Sequence, residues 1–315
     1  MTTNTISQAH TAPSLIGCQK DGTIKSSGLN GSGGESKIET YRFRVEPFHV
    51  DFTGHLFMGV LGNHLLNAAE HHSHNRGWGI DQLNEEHLSW VLSRLSIELD
   101  EMPSQYDHVE VETWVESVMK LFTERNFLIR NADDGRIYGY ARSIWAMIDV
   151  ETRQPSNLFE LRNGDILNYV VTADEKPCPI EKFGRPARLS GEPCASMMTH
   201  YADVDINSHI NSIKYIEHIL DVFYEQKLPA HTGKELGKAP RIRRFEIAYK
   251  AESYWGDTLT FFTEDSADSS VSAPSGCSVC GCSTTTTHVE IRKHVGATEK
   301  PAGETVVQAK IIWAD

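Results

Sequence analysis

No window of this chain approaches eighteen consecutive apolar residues, so no transmembrane helix is expected. Basic residues are in short supply: 30 Lys+Arg stand against 43 Asp+Glu, a formal net charge of −13. That balance argues against nucleic acid as the main partner, while leaving room for a local basic patch that faces an acidic protein. Cysteine is sparse, six in 315 residues at irregular spacing. This speaks against a disulfide framework and for a reducing compartment. A Gly-rich nucleotide fingerprint is absent, so no dinucleotide cofactor is implied. The first 37 residues contain no arginine and few large apolar side chains. They read as a disordered tail; the missing arginine weakens the alternative of a targeting segment, and the missing apolar stretch argues against a secretory signal. What remains, 39% hydrophobic and 23% charged, is the make-up of a soluble globular protein.

One pattern occurs twice. Asp51-Phe-Thr53-Gly-His55 returns 154 positions later as Asp205-Ile-Asn207-Ser-His209, and the register carries His64 onto His218 and Leu65 onto Ile219. Pro103-Ser-Gln-Tyr-Asp107 falls on Ser253-Tyr-Trp-Gly-Asp257 at an offset of 150. So long a period excludes a solenoid and implies a duplicated fold. The copies differ where chemistry is expected. Only the second has Asn at the middle polar position, and only the second has a carboxylate, Glu252, where the first has Met102. The second half should therefore do the work, with Asp51 and His55 structural.

Hydrophobic periodicity places the elements. Residues 40–48 alternate as a strand. Helical spacing runs from Leu56 to about Arg76 and stops at Gly77. Residues 88–99, 109–115, 122–129 and 137–150 read as strands, with Asn131-Ala-Asp-Asp-Gly135 as a hairpin turn. Four prolines mark 151–192 as a connection, with one short helix near 158–167. The order then repeats: a strand near 195–201, a helix over about 210–226, and strands at 242–254, 258–263, 284–293 and 304–313. Residues 264–283 look like an irregular insertion. The expected fold is α+β, a double (tandem) hotdog in which each half wraps a long helix in an antiparallel sheet. The halves are 38–150 and 193–315.

Asp205, Asn207 and His209 stand immediately before an apolar helix, whose first turn offers unpaired N–H groups and the positive end of the dipole. Such a site can polarise a carbonyl and hold an oxyanion. His209 can carry a proton near neutral pH. Asn207 can donate an amide hydrogen bond, and Asp205 can orient a side chain or cap the helix. A purely capping role with a packed histidine is the plain alternative.

Five segments resemble the acyl-acyl carrier protein thioesterases of plant plastids and bacteria. Asp205-Ile-Asn207-Ser-His209-Ile-Asn211-Ser-Ile-Lys-Tyr215 is similar to the family's Asp-x-Asn-x-His-x-Asn-Asn-x-Lys-Tyr. Tyr249-Lys-Ala-Glu252-Ser253 falls where the family has Tyr-Arg-Arg-Glu-Cys. Leu88-Ser-Trp90-Val-Leu-Ser-Arg94, Val111-Glu-Thr-Trp114-Val and Ala141-Arg-Ser-Ile-Trp145-Ala-Met147 resemble three of its strands. The resemblance implies hydrolysis of fatty acyl thioesters on a carrier's phosphopantetheine. It also implies a catalytic set at Asp205, Asn207, His209, Glu252 and position 253. Serine at 253 departs from the family's cysteine and is a far weaker nucleophile without a strong base. Water activated by Glu252, helped by His209, is the mechanism expected. An acyl-coenzyme A thioesterase and a non-catalytic acyl-thioester-binding protein are the rivals.

The resemblance places the acyl chain mainly in the first half, with Phe57, Leu61, Trp90, Trp114 and Trp145 as candidate pocket residues. Arg241, Arg243, Arg244 and Lys250, with Lys214 nearby, are candidate contacts for an acidic acyl carrier protein. Cys277-Ser-Val-Cys280-Gly-Cys282 and His288 make only a weak zinc pattern, and neither metal nor cofactor is expected. A monomer or homodimer is expected, in the cytoplasm, or in the plastid stroma if residues 1–37 are a transit peptide.

Overall fold

A computed structural model describes residues 36–227, 240–268, 284–294 and 303–314. The same series of elements runs twice along the chain, first as β1 (Glu39–Arg44), α1 (Met58–His74), a short α2 (Ile80–Asn84), then β2 (Leu88–Leu99), β3 (His108–Val118), β4 (Phe122–Asn131) and β5 (Ile137–Asp149). The second half follows with β6 (Ala195–Met198), α3 (Ser212–Lys227), β7 (Arg241–Tyr249), β8 (Thr258–Asp268), β9 (Thr284–His294) and β10 (Glu304–Ala314). Among the described residues these strands form one antiparallel sheet, ordered β1-β3-β4-β5-β2-β7-β10-β9-β8-β6. Each half contributes five strands in corresponding order. The halves join where β2 pairs with β7, from Arg94↔Ala248 to Glu98↔Arg244.

Alternation decides which face each strand buries. Val109 and Val111 of β3, Leu95 and Ile97 of β2, and Phe245 and Ile247 of β7 all enter one core with Leu61 and Leu65 of α1 and Ile213 and Ile216 of α3. Fully burying each such side chain is worth about 1.5–3 kcal/mol. Because the core is shared, neither half has a complete one alone. The helices approach closely at α1's glycines: a Cβ on Gly62 would stand 2.7 Å from Ile213 Cδ1.

The connection 151–192 does more than link. It crosses the outer face of the sheet, where Leu158 and Ile166 bury against Trp78, Leu88 and Met147, and Val171 buries against Trp114. Glu290, fully buried, accepts from Leu189 N at 2.7 Å, and Gln308 donates to Ala187 O at 2.7 Å.

Some expectations change. Gly77 ends α1, but the chain makes the short α2 before β2. The short helix near 158–167 is a 3₁₀ segment, Leu161–Tyr169, interrupted by left-handed Arg162, Asn163 and Gly164. Residues 264–268 continue β8 in register with β9 rather than opening an insertion. The three cysteines at 277–282, most of the supposed insertion, and all but the last two residues of the 1–37 segment lie outside the described residues. No helix among the described residues is long and apolar enough to cross a membrane.

Candidate active site

The duplicated turn is built from the same bonds in both copies. Asp205 N donates to His209 O at 2.9 Å and Ser208 N to Asp205 O at 3.0 Å; the first copy has Asp51 N to His55 O at 2.8 Å and Gly54 N to Asp51 O at 3.0 Å. A carboxylate oxygen of each aspartate takes the N–H two residues on, Asn207 at 2.8 Å and Thr53 at 2.7 Å. The backbone at the fourth position is left-handed, Gly54 at φ 81° and Ser208 at φ 62°. Glycine accepts that conformation freely and serine does so at a cost. Both turns are then tied to a distant strand end: Ile210 N donates to Ser253 O at 2.9 Å, and Leu56 N to Pro103 O at 2.8 Å.

That tie brings Glu252 to the second turn. His209 Nε2 lies 3.4 Å from Glu252 Oε2. Tyr254 Oη donates to the same oxygen at 3.2 Å, and the Tyr254 ring packs edge-on against His209 with centroids 5.1 Å apart. Arg153 donates to Glu252 Oε1. Burial pushes the Glu252 carboxyl up, but the Arg153 hydrogen bond, the charges of His209 and Arg153, and the Tyr254 hydroxyl outweigh it and hold it below the usual carboxylate range. Glu252 is thus kept ionised. Lys293 Nζ donates to its backbone carbonyl at 2.6 Å.

Arg153 was hidden from sequence reasoning. It belongs to the tight turn after β5, where Asp149 N donates to Gln154 O at 2.9 Å and Arg153 N to Asp149 O at 2.9 Å. Closing this turn puts Arg153 at φ 60°. The first half and its connection therefore supply a side chain to the second half's site.

Ser253 is fully buried, and its Oγ makes no hydrogen bond of ordinary geometry among the described residues. The Tyr215 hydroxyl neighbours it, and burial pushes that phenol up to about 12, so it stays protonated. No histidine or carboxylate is bonded to Ser253 Oγ among the described residues. Asp205 spends its carboxylate on the turn, while Asn211 caps α3: Ile213 N donates to Asn211 Oδ1 at 2.8 Å. The helix cap is therefore Asn211, not Asp205. The Asn207 side chain makes no hydrogen bond within the described residues and is exposed.

Beneath the turns the copies diverge again. Asp203 Oδ1 lies 3.1 Å from His218 Nε2, both side chains nearly buried. At the corresponding first-half positions His49 neighbours His64, and burial, with His49 beside it, pushes His64 down to about 4. His64 is therefore kept neutral there.

Several candidates take other places. Arg244 is 4% exposed and committed to Glu98 and Glu246, so its charge is neutralised inside the protein and does not face a carrier. Arg243 is held by Asp100 and Leu99 O, and Lys214 by Glu217. Arg241 and Lys250 remain exposed, but at opposite ends of β7, roughly 30 Å of strand apart; they do not form one patch. Trp114 is fully buried on the sheet's outer face under Val171, because it alternates with Val109 and Val111. Trp90 packs with Trp78 in another outer cluster and donates to Trp78 O at 3.0 Å. Neither tryptophan faces the helices. Leu61 is inside the shared core, and Trp145 packs against it. Phe57 is 47% exposed and lines a cavity of about 590 Å³ at the first turn. No residue of 205–209 and neither Glu252 nor Ser253 lines that cavity. Among the described residues Glu70, His74 and Asp81 hold three ligand-type atoms within 4.8 Å of one another. They are occupied at the start of α2: Glu70 accepts from Ile80 N at 2.9 Å, and His74 meets Asp81 at 3.1 Å.

One sheet, two central helices and a carboxylate–imidazole pair at only one of two matching turns define a single-chain double hotdog with one candidate site. Residues 37–161 match the family described as the acyl-ACP thioesterase N-terminal domain, and residues 194–315 match its C-terminal domain. The chain belongs to the acyl-ACP thioesterase family. It is 48% identical to an acyl-ACP thioesterase of Bacteroides thetaiotaomicron, with a TM-score of 0.70 over 88% of this chain and 98% of that one. A 12:0-ACP thioesterase of Umbellularia californica shares the fold, with a TM-score of 0.66 at 19% identity over 89% of this chain and 95% of that one. A chloroplastic palmitoyl-acyl carrier protein thioesterase of Gossypium hirsutum is 26% identical over 58% of this chain and 46% of its own length. The chain spans about half the length of the plant relatives it matches first.

Proposed function

We propose that this protein hydrolyses fatty acyl thioesters borne on the phosphopantetheine of an acyl carrier protein, releasing the free fatty acid. The observation that carries the reading is the contact of Glu252 with His209 at the mouth of α3, in the copy that also has Asn207. Glu252 takes a proton from water, whose oxygen attacks the thioester carbon. The Asn207 amide donates to the oxyanion, and the positive end of the α3 dipole favours the same charge. The carbon–sulfur bond then breaks, and His209, which receives water's proton from Glu252 across their contact, passes it to the departing thiolate, giving the carboxylic acid and the carrier's free thiol. A thiolate is a far better leaving group than an alkoxide, thiols being much stronger acids than alcohols.

The buried Ser253 Oγ, bonded to no histidine or carboxylate among the described residues, suits a packing role better than a nucleophilic one. Ser253→Ala should keep most of kcat, because no catalytic proton passes through the hydroxyl. Steady-state assays would expose the opposite case as an inactive enzyme that still binds its substrate. Arg153→Ala should move the acid limb of kcat/KM to higher pH. The sign follows from the site: Arg153 helps hold the Glu252 pKa down, so without it burial raises that pKa and protonation disables the base earlier on acidification. An unmoved acid limb in a pH–rate profile would separate Arg153 from Glu252.

Tyr201, Ile206 and Trp255, near the turn and Glu252 in sequence, are exposed, as is Lys250 two residues before Glu252, and Arg153 on Glu252 is half exposed. Such a surface suits an acidic carrier, and its attraction would weaken with salt. Incubating the protein with matched acyl-carrier and acyl-coenzyme A substrates, and quantifying free fatty acid, tests the proposal. Faster release from coenzyme A would favour the coenzyme A reading. Binding without release above the buffer rate would favour a non-catalytic acyl-binding protein.

A further inference from the structure

The hairpin that carries Asn207 and His209 is fixed at its base as well as near its tip. Beyond the bond from Asp205 N to His209 O, Val204 bridges Ile210, and Asn211 N donates to Asp203 O at 2.8 Å. Asp203 closes this ladder, and its carboxylate has two engagements. Oδ2 accepts from His200 N at 2.7 Å. Oδ1 faces His218 Nε2 at 3.1 Å, off the line of an ordinary hydrogen bond but at ion-pair distance. His218 stands on the second turn of α3, and both side chains are nearly buried. Charges shielded from solvent in this way are screened far less than a surface pair. The contact joins the base of the hairpin to the helix whose positive end favours the oxyanion.

The first half has the same frame without the pair. Val50 bridges Leu56, Phe57 N donates to His49 O at 2.9 Å, and His49 Nδ1 takes the capping bond from Glu46 N at 3.3 Å. Opposite charge is what differs there: His49 meets His64, with ring centroids 6.0 Å apart and His64 held neutral. Such a hairpin therefore forms without a carboxylate at its base, and building the turn does not account for Asp203. The carboxylate–imidazole contact occurs only beneath the turn that Glu252 meets.

We propose that Asp203 and His218 are a positioning pair: their contact sets where the Asn207 amide and the His209 imidazole stand relative to the start of α3. Both act through the hairpin, with no proton or substrate passing to either. A shift of about 1 Å in such a placement can cost about 10²-fold in rate. The effect on rate rests on the hydrolysis proposed above; the tethering of the hairpin does not.

Asp203→His in the full-length chain tests the proposal, because it rebuilds the first half's histidine pair and leaves a ring nitrogen to take the capping bond from His200 N, as His49 does from Glu46 N. Steady-state hydrolysis of an acyl-carrier thioester should show kcat lowered at least about tenfold with KM little altered. Hydrogen exchange read by mass spectrometry should quicken in peptides spanning 203–211 and stay unchanged in those spanning 49–57. His218→Phe should do the same. His218→Gln, whose side-chain amide can donate to Asp203 Oδ1, should recover most of kcat and of the exchange protection. Should either Asp203→His or His218→Phe misfold by circular dichroism, the other decides alone. A folded variant with parental kcat, whatever its melting temperature, reduces the pair to a stabilising contact and overturns the proposal, as does His218→Gln performing no better than His218→Phe. Hydrolysis by the unmodified chain is read separately. If it releases no fatty acid, the proposed function fails, and exchange alone then decides: faster exchange in 203–211 supports the tether, and unchanged exchange overturns it.

Discussion

Glu252→Gln should lower kcat for acyl-carrier hydrolysis by about 10²–10⁴-fold, the usual worth of a positioned general base. Glutamine has nearly the same shape; its Oε1 can still accept from Arg153 and its Nε2 can donate to the Tyr254 hydroxyl oxygen, so the pocket should keep its form. What it lacks is the negative charge that receives water's proton. Glu252 is suited to that duty because Arg153, His209 and Tyr254 keep it ionised despite partial burial. The loss should therefore appear in kcat, with KM little altered, if chemistry limits turnover. Single-turnover assays on a matched carrier substrate, with circular dichroism as the folding control, would measure it. A variant as fast as the parent would remove Glu252 from the mechanism.

Asn207→Ala should cost about 2.7–4 kcal/mol of transition-state stabilisation, or about 10²–10³-fold in kcat, as loss of one oxyanion donor does. The turn should survive, because its bond to Asp205 Oδ1 comes from the Asn207 backbone N–H. The side-chain amide has no hydrogen-bond partner among the described residues and is free to meet a substrate. Asn207→Asp should be at least as damaging, since a carboxylate would repel the developing oxyanion. Near-parental kcat for both variants would leave oxyanion stabilisation to the helix N-terminus alone.

Local pattern carried much of this protein. Period-two alternation marked 88–99 as the strand it is, and helical spacing found α1 and α3 to within two residues at each end. The repeat of Asp51–His55 at Asp205–His209 anticipated two matching turns, since the same short-range bonds recur in both. Pairing Met102 with Glu252 located the candidate base, because the strand end that carries each residue is tied to its turn by the next residue's carbonyl. Burial was less legible. Arg244 looked like part of a surface cation cluster, yet its strand face and its partners Glu98 and Glu246 put it inside. Trp90 and Trp114 have the size of pocket linings, but their faces of β2 and β3 point to the connection.

Element order, the duplicated turn and the polar triplet before α3 were determined by sequence alone, because each depends on hydrogen bonds and side-chain periodicity within a few residues. Tertiary structure decided that Arg153, 99 positions away, holds Glu252, and that the cavity opens at the first turn rather than the second. Those outcomes depend on how far two curved half-sheets and two helices approach one another, and on close packing that no short stretch of chain can specify.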